Sequence, residues 1–132
     1  MIVQKMKKSR LCIASSKAHI RIGSKHKGTY IEKLSIVYIE ACESYSWIHL
    51  TNGSKVLSSK TIGYYQALLT DDKFSRVHRS YLINLSHLKR YEPDYRLVHL
   101  KGEFTLPVSH RKNREIAKMV SKQHHTPFRM AV

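Results

Sequence analysis

Carboxylates are scarce in this chain. Its 132 residues include 9 aspartates and glutamates against 24 lysines and arginines, a formal net charge of +15. No acidic residue precedes Glu32, only Glu115 follows Glu103, and Lys73 to Tyr91 holds none. A charge imbalance of this kind destabilises the compact state by self-repulsion and calls for a polyanionic partner. Nucleic acid fits best, and an anionic membrane surface comes second. The nine carboxylates are also scattered, with no Asp/Glu/His group at metal-ligand spacing. No enzyme, cofactor, metal site or small-molecule substrate is therefore expected.

Cysteine is nearly missing. Cys12 and Cys42 each lie in an apolar run and read as buried reduced thiols. There is no Cys-x-x-Cys, and the nine histidines form no HExxH or paired-ligand pattern. Long hydrophobic runs are missing too. LCIA, after the N-terminal lysines, is far too short for a signal-peptide core or a membrane span, so a soluble cytoplasmic protein is expected. No internal repeat and no tri-helical helix-turn-helix pattern is present. Nor is there an RRM aromatic block, a KH Gly-x-x-Gly loop or an OB-like platform. If this protein reads DNA, it must do so from loops and strand ends.

At 42% hydrophobic, a chain of this length buries one modest core. The patterning is mostly β. Arg10 to Ala14 and His19 to Ile22 are strand candidates, followed by a turn over Gly23 to Gly28. LSIVYIEAC, Leu34 to Cys42, is β-branched and aromatic enough to favour strand over helix. Tyr45 to Thr51 and Lys55 to Ser58 flank Asn52-Gly53, a strong hairpin signal. TIGYYQALL changes period, with Ile62, Tyr65, Leu68 and Leu69 on one helical face. Five short strands follow at 74–77, 81–85, 88–91, 96–100 and 104–108, then a helix over 113–122 with Ile116, Met119 and Val120 on its apolar side. Close-spaced strands with one or two small helices exclude a four-helix bundle and a Rossmann unit. They leave a compact, mainly antiparallel β domain.

Two basic segments carry the chemistry. FSRVHRSYLIN, Phe74 to Asn84, alternates apolar or aromatic side chains with arginine, histidine and serine. LPVSHRKNRE, Leu106 to Glu115, repeats the combination thirty residues later. Arginine beside small hydrogen-bonding residues suits a surface that rests on phosphates and also reads base edges. The same composition fits an RNA-binding or ribosome-associated basic protein, which remains the alternative.

The order of blocks resembles the LytTR DNA-binding domain. Ile36 to Ala41, Tyr45 to Gly53, Phe74 to Asn84 and Leu106 to Arg111 stand where that family carries I-x-Y-I-E-A, Y-x-x-I-H-L-x-D/N-G, F-x-R-x-H-R-S-Y-x-x-N and L-P-V-S-R-R. The resemblance implies an elongated fold of about ten short, mainly antiparallel strands with one or two small helices. It also implies a bacterial transcription regulator that binds specific double-stranded DNA, with loops in successive major grooves and paired or repeated sites. It leaves room for a homodimer on DNA and for a membrane protein that restrains the regulator. Met1 to Lys17 lacks the aspartate pocket of a receiver domain, so a stand-alone regulator is expected. Its parts would be a basic N-terminal extension over 1–17, a DNA-binding domain over 18–120 and a tail over 121–132. One departure stands out: His110 replaces the first arginine of the family's S-R-R, which bears on base preference and introduces a titratable group.

The candidate DNA-binding residues follow from these blocks. Arg79 is a base or phosphate contact at the His-Arg-Ser turn, with a solvated turn arginine as the alternative. Arg76 either contacts DNA or supports that turn. Ser80 and Asn84 can both donate and accept, and Asn84 can equally close a strand end. Arg111 offers the planar fork that fits guanine O6 and N7. Ser109 either contacts DNA or caps the last helix. Around Arg111 stand His110, Lys112, Asn113 and Arg114, with Lys112 and Arg114 suited to phosphate. Ser44 and Tyr45 belong to the first turn, which the resemblance places at the DNA, although Tyr45 also suits hairpin packing. Lys5, Lys7 and Lys8 read as an arm adding nonspecific affinity or as a solvated start.

Overall fold

A computed structural model describes residues 18–23, 26–70 and 73–123, the last five by their backbone. Among these residues, ten strands and two helices succeed one another. They are β1 (His19–Ile22), β2 (Thr29–Glu32), β3 (Ile36–Cys42), β4 (Tyr45–Leu50), β5 (Lys55–Ser58), α1 (Ile62–Leu68), β6 (Phe74–His78), β7 (Tyr81–Asn84), β8 (Leu88–Glu92), β9 (Leu97–Leu100), β10 (Phe104–Pro107) and α2 (His110–Gln123). All pairings are antiparallel. A five-stranded sheet in the order β5-β4-β3-β7-β6 lies between the β1-β2 hairpin and a three-stranded sheet, β10-β9-β8.

The central sheet buries both faces, which is why LSIVYIEAC reads as almost continuously apolar. On one face Ile36, Ile39, Ile48 and Leu82 meet Ile62, Tyr65 and Leu69 around α1 and Ile20, Ile22 and Ile31 of the first hairpin. On the other, Val37, Tyr38, Val77 and Ile83 meet Tyr91, Val98, Leu100, Leu106, Val108 and Ile116. Leu82 and Ile83 enter opposite cores, as the two-residue period of a strand requires. Val37 and Tyr38 enter the same core because the register of β3 shifts between Ile36 and Tyr38. An extra residue there turns two successive side chains to one side. The Tyr38 ring stacks on His49 at 4.2 Å, and Phe104 of β10 meets both edge-on. This aromatic cluster joins the two sheets.

Several sequence expectations are corrected here. Cys42 is exposed, not a buried thiol, because it ends β3 at the rim of the sheet; Cys12 lies outside the described residues. Leu68 is 45% exposed, so the apolar face of α1 is Ile62, Tyr65 and Leu69. Residues 29–32 form β2, a strand that sequence pattern alone passed over because only Ile31 of its four side chains is buried. A 3-10 turn occupies Lys33–Ser35, so β3 begins later than Leu34. The last helix begins at His110, three residues before the expected start. The Ser109 hydroxyl accepts from the Lys112 backbone N–H at 3.1 Å, which satisfies one of the open amides of the first turn. The strand expected at Arg10 to Ala14 lies outside the described residues.

Candidate nucleic-acid interface

One end of the central sheet collects most of the basic motif residues. Antiparallel pairing of β3 with β7 sets the β3-β4 turn beside the β6-β7 turn, and the Ala41 N–H donates to the Ser80 carbonyl at 2.8 Å. The Ser46 hydroxyl donates to the Lys60 carbonyl at 2.8 Å, which brings the β5-α1 connection to the same end. The Ser109 N–H donates to the Val77 carbonyl at 2.7 Å and lays the start of α2 along β6. Ser44, Tyr45, Arg79, Ser80 and the first turn of α2 therefore share one rim.

A cleft of about 410 Å³ opens there, lined by Gln66, Arg76, His78, Arg79, Ser109, Arg111 and Lys112. Its lining holds four lysine or arginine side chains and no carboxylate. Arg79 and Arg111 are exposed and make no ion pair or side-chain hydrogen bond among the described residues. Two unpaired guanidinium forks at one rim make a site that attracts phosphate and can present bidentate donors to a base edge.

The family model of the LytTr DNA-binding domain matches residues 27–121. The chain belongs to the LytTR DNA-binding family. A solved LytTr DNA-binding domain, from a Bacillus cereus protein named as a methyl-accepting/DNA response regulator, superimposes with a TM-score of 0.66 at 20% identity. The match covers 78% of this chain and 96% of that one. The search of curated proteins returns no match. LytTR membership makes the chain a DNA-binding regulator with double-stranded DNA as its partner, and the mostly β, antiparallel architecture is that of the family. No helix among the described residues is long and apolar enough to cross a membrane.

Within this LytTR domain the predicted residues divide by where their polar atoms point. Arg76 supports the turn. Its guanidinium donates to the His78 carbonyl at 2.9 Å, to Gln66 Oε1 at 2.6 Å and to the Arg79 carbonyl. Burial pulls this guanidinium below its ordinary pKa, yet an arginine keeps its charge throughout the working range. The Ser80 N–H in turn donates to His78 Nδ1 at 3.1 Å. Arg79 thus leaves the sheet from a turn braced from beneath. Gln66, on the other side of the cleft, was missed in the sequence because nothing local in α1 marks it as a partner for β6. Replacing Arg76 with methionine should destabilise the fold by about 1–2 kcal/mol, since the partly buried His78 carbonyl loses a charged donor while the exposed Gln66 and Arg79 acceptors turn to water. It should also loosen the turn that presents Arg79. Urea denaturation checks the first effect and duplex binding the second.

Two asparagines leave the candidate set. Asn84 is 2% exposed. Its amide donates to the carbonyls of Ile36 (2.9 Å) and Lys33 (3.3 Å), and its oxygen accepts from the Ser86 N–H (2.9 Å). Closing the strand end is what this geometry does, with nothing left for phosphate. Asn113 also turns inward. Its amide donates to the Pro93 carbonyl, and the Tyr91 hydroxyl donates to its backbone and side-chain oxygens. Burial pushes the Tyr91 phenol up to about 12, so it remains a donor at neutral pH. Ser109 caps α2, as its alternative reading expected. Arg111 lies in the first turn of α2 and not in a turn before it. His110 and Arg114 are exposed on the same helix, and the Lys112 ammonium lies 3.6 Å from Glu115. Ser44 and Tyr45 are exposed beside Glu43, whose φ of 57° is the left-handed value of a tight two-residue hairpin. Arg96, in the turn between β8 and β9, stands next to the start of α2 and went unnoticed in the sequence as part of this surface. Its neighbourhood is set by contacts with Val108 and His110, more than ten residues away.

Proposed function

We propose that the protein is a transcription regulator that selects its DNA sequence by setting this rim into the major groove. The observation that carries the reading is the carboxylate-free cleft that gathers Arg76, Arg79, Arg111 and Lys112 at one sheet end. Arg111 and Arg79 supply base or close phosphate contacts, and Lys112 and Arg114 hold phosphates alongside. Ser44, Tyr45, Ser80 and His110 complete the surface, and Ser109 fixes the start of α2. Residues 18–120 form the DNA-binding unit, flanked by a basic extension and a tail. Two copies on paired sites, a cytoplasmic location and restraint by a membrane partner belong to the same reading.

Selection of duplexes from a random pool tests it. Enrichment of a motif repeated about one helical turn apart is expected. Tighter binding to single-stranded RNA than to any duplex would overturn the reading in favour of an RNA-binding protein. A second check separates phosphate from base contacts. Lys112→Ala should weaken selected and scrambled duplexes alike and lower the salt slope by about one. Titrations at several salt concentrations give that slope directly.

A further inference from the structure

His110 stands where an arginine would ordinarily supply donors, and on its own an imidazole is an ambiguous reader. Either ring nitrogen can carry the proton, so the ring can offer a donor or an acceptor to a base edge. The structure removes the ambiguity. Arg96 Nη1 lies 2.9 Å from His110 Nδ1. A guanidinium only donates, so Nδ1 must be the unprotonated acceptor and the ring proton sits on Nε2.

The turn that carries Arg96 is held beside the start of α2 by backbone and side-chain hydrogen bonds. The Val108 N–H donates to the Arg96 carbonyl at 2.8 Å, the Asn113 amide donates to the Pro93 carbonyl at 3.3 Å, and Tyr91 bonds to Asn113. Arg96 also has a φ of 53°, a left-handed conformation in which glycine or asparagine is the ordinary occupant. An arginine there brings a side chain into the position at some backbone cost. Among the described residues no carboxylate pairs with Arg96 or His110.

We infer that Arg96 is a specificity-determining positioning residue, which locks His110 as an Nε2–H donor facing a hydrogen-bond acceptor on the DNA. In the major groove that donor suits a purine, which presents N7, and opposes cytosine, which presents its N4 donor. The inference rests on the DNA-reading role proposed above and names the base edge that one of its residues takes. Arg96 acts through His110; the neighbouring Tyr95, 73% exposed, has no part in it.

The test uses the full chain in two measurements. Ring 15N chemical shifts of His110 in the free protein report the tautomer without any DNA. The Nε2–H form is expected in the parent, and a mixture of both neutral tautomers in Arg96→Met. Affinities are then measured for the selected duplex and for single-base variants of it. Arg96→Met should reduce purine-over-cytosine discrimination at one position by on the order of 5- to 10-fold. In a His110→Ala background the same change should have no further effect on discrimination. An Nδ1–H tautomer in the parent overturns the inference. So does a loss in Arg96→Met that is uniform across sequences and accompanied by a lower salt slope, which marks Arg96 as a phosphate contact. A parent with the Nε2–H tautomer that binds all duplexes equally sinks the DNA-reading proposal itself, and the two failures are thereby told apart.

Discussion

Arg111→Ala is expected to weaken binding to the preferred duplex by about 1–3 kcal/mol, the range for a bidentate arginine–guanine contact. That corresponds to roughly 5- to 150-fold in Kd. The expectation follows from position. Arg111 is in the first exposed turn of α2, at the rim of a cleft whose lining has no carboxylate to hold its guanidinium. The helix start is held by the Ser109 cap and by the Ser109 N–H bond to β6, so the arginine projects from a fixed base. A planar fork that projects from a fixed backbone can meet one base edge with two donors at once and so discriminates between bases. The loss should therefore be selective. Affinity for the best site falls, affinity for a scrambled duplex changes much less, and preference at one base position disappears. Arg111→Lys should restore phosphate attraction without restoring that preference, because an ammonium cannot reproduce the planar pair of donors. Affinities for the selected duplex and its single-base variants decide the matter. Parent-like values for Arg111→Ala would mean that the DNA meets another face.

Asn84→Ala is expected to act on stability. The Asn84 amide joins β7 to the chain entering β3, through the carbonyls of Lys33 and Ile36, and its oxygen holds the Ser86 N–H. Alanine leaves these groups without their partner in a buried setting, at about 1–3 kcal/mol for each group left unpaired. Partial access of water to the outer contacts brings the expected total to on the order of 3 kcal/mol. Urea denaturation should show a lower midpoint with an unchanged slope. Duplex affinity, measured where the variant is still folded, should match the parent. Unaltered stability with lost duplex affinity would restore the phosphate-contact reading of Asn84 and refute the structural one.

Local pattern determined a good deal here by itself. The β-branched run of β3, the Asn-Gly hairpin and the change of period at α1 are decided by neighbours two to four residues apart, so strands, hairpin and helix were legible. The charge surplus and the two arginine-bearing blocks pointed to nucleic acid for the same reason, since composition needs no fold to be read. What the sequence could not settle was direction. Arg76 and Arg79 look alike in a row of letters, yet Arg76 is drawn under the turn by Gln66 and two carbonyls while Arg79 projects from it. Asn84 and Asn113 look as available as Ser80, but their amides serve carbonyls 48 and 20 positions away. Cys42 sits in an apolar run and still reaches the surface, because the rim of a sheet exposes what its centre would bury. The link between Arg96 and His110 spans 14 positions and exists only because α2 packs against the β8-β9 turn. Which polar groups are consumed within the protein, and which remain for DNA, depends on partners distant in the chain, and that was decided by tertiary packing alone.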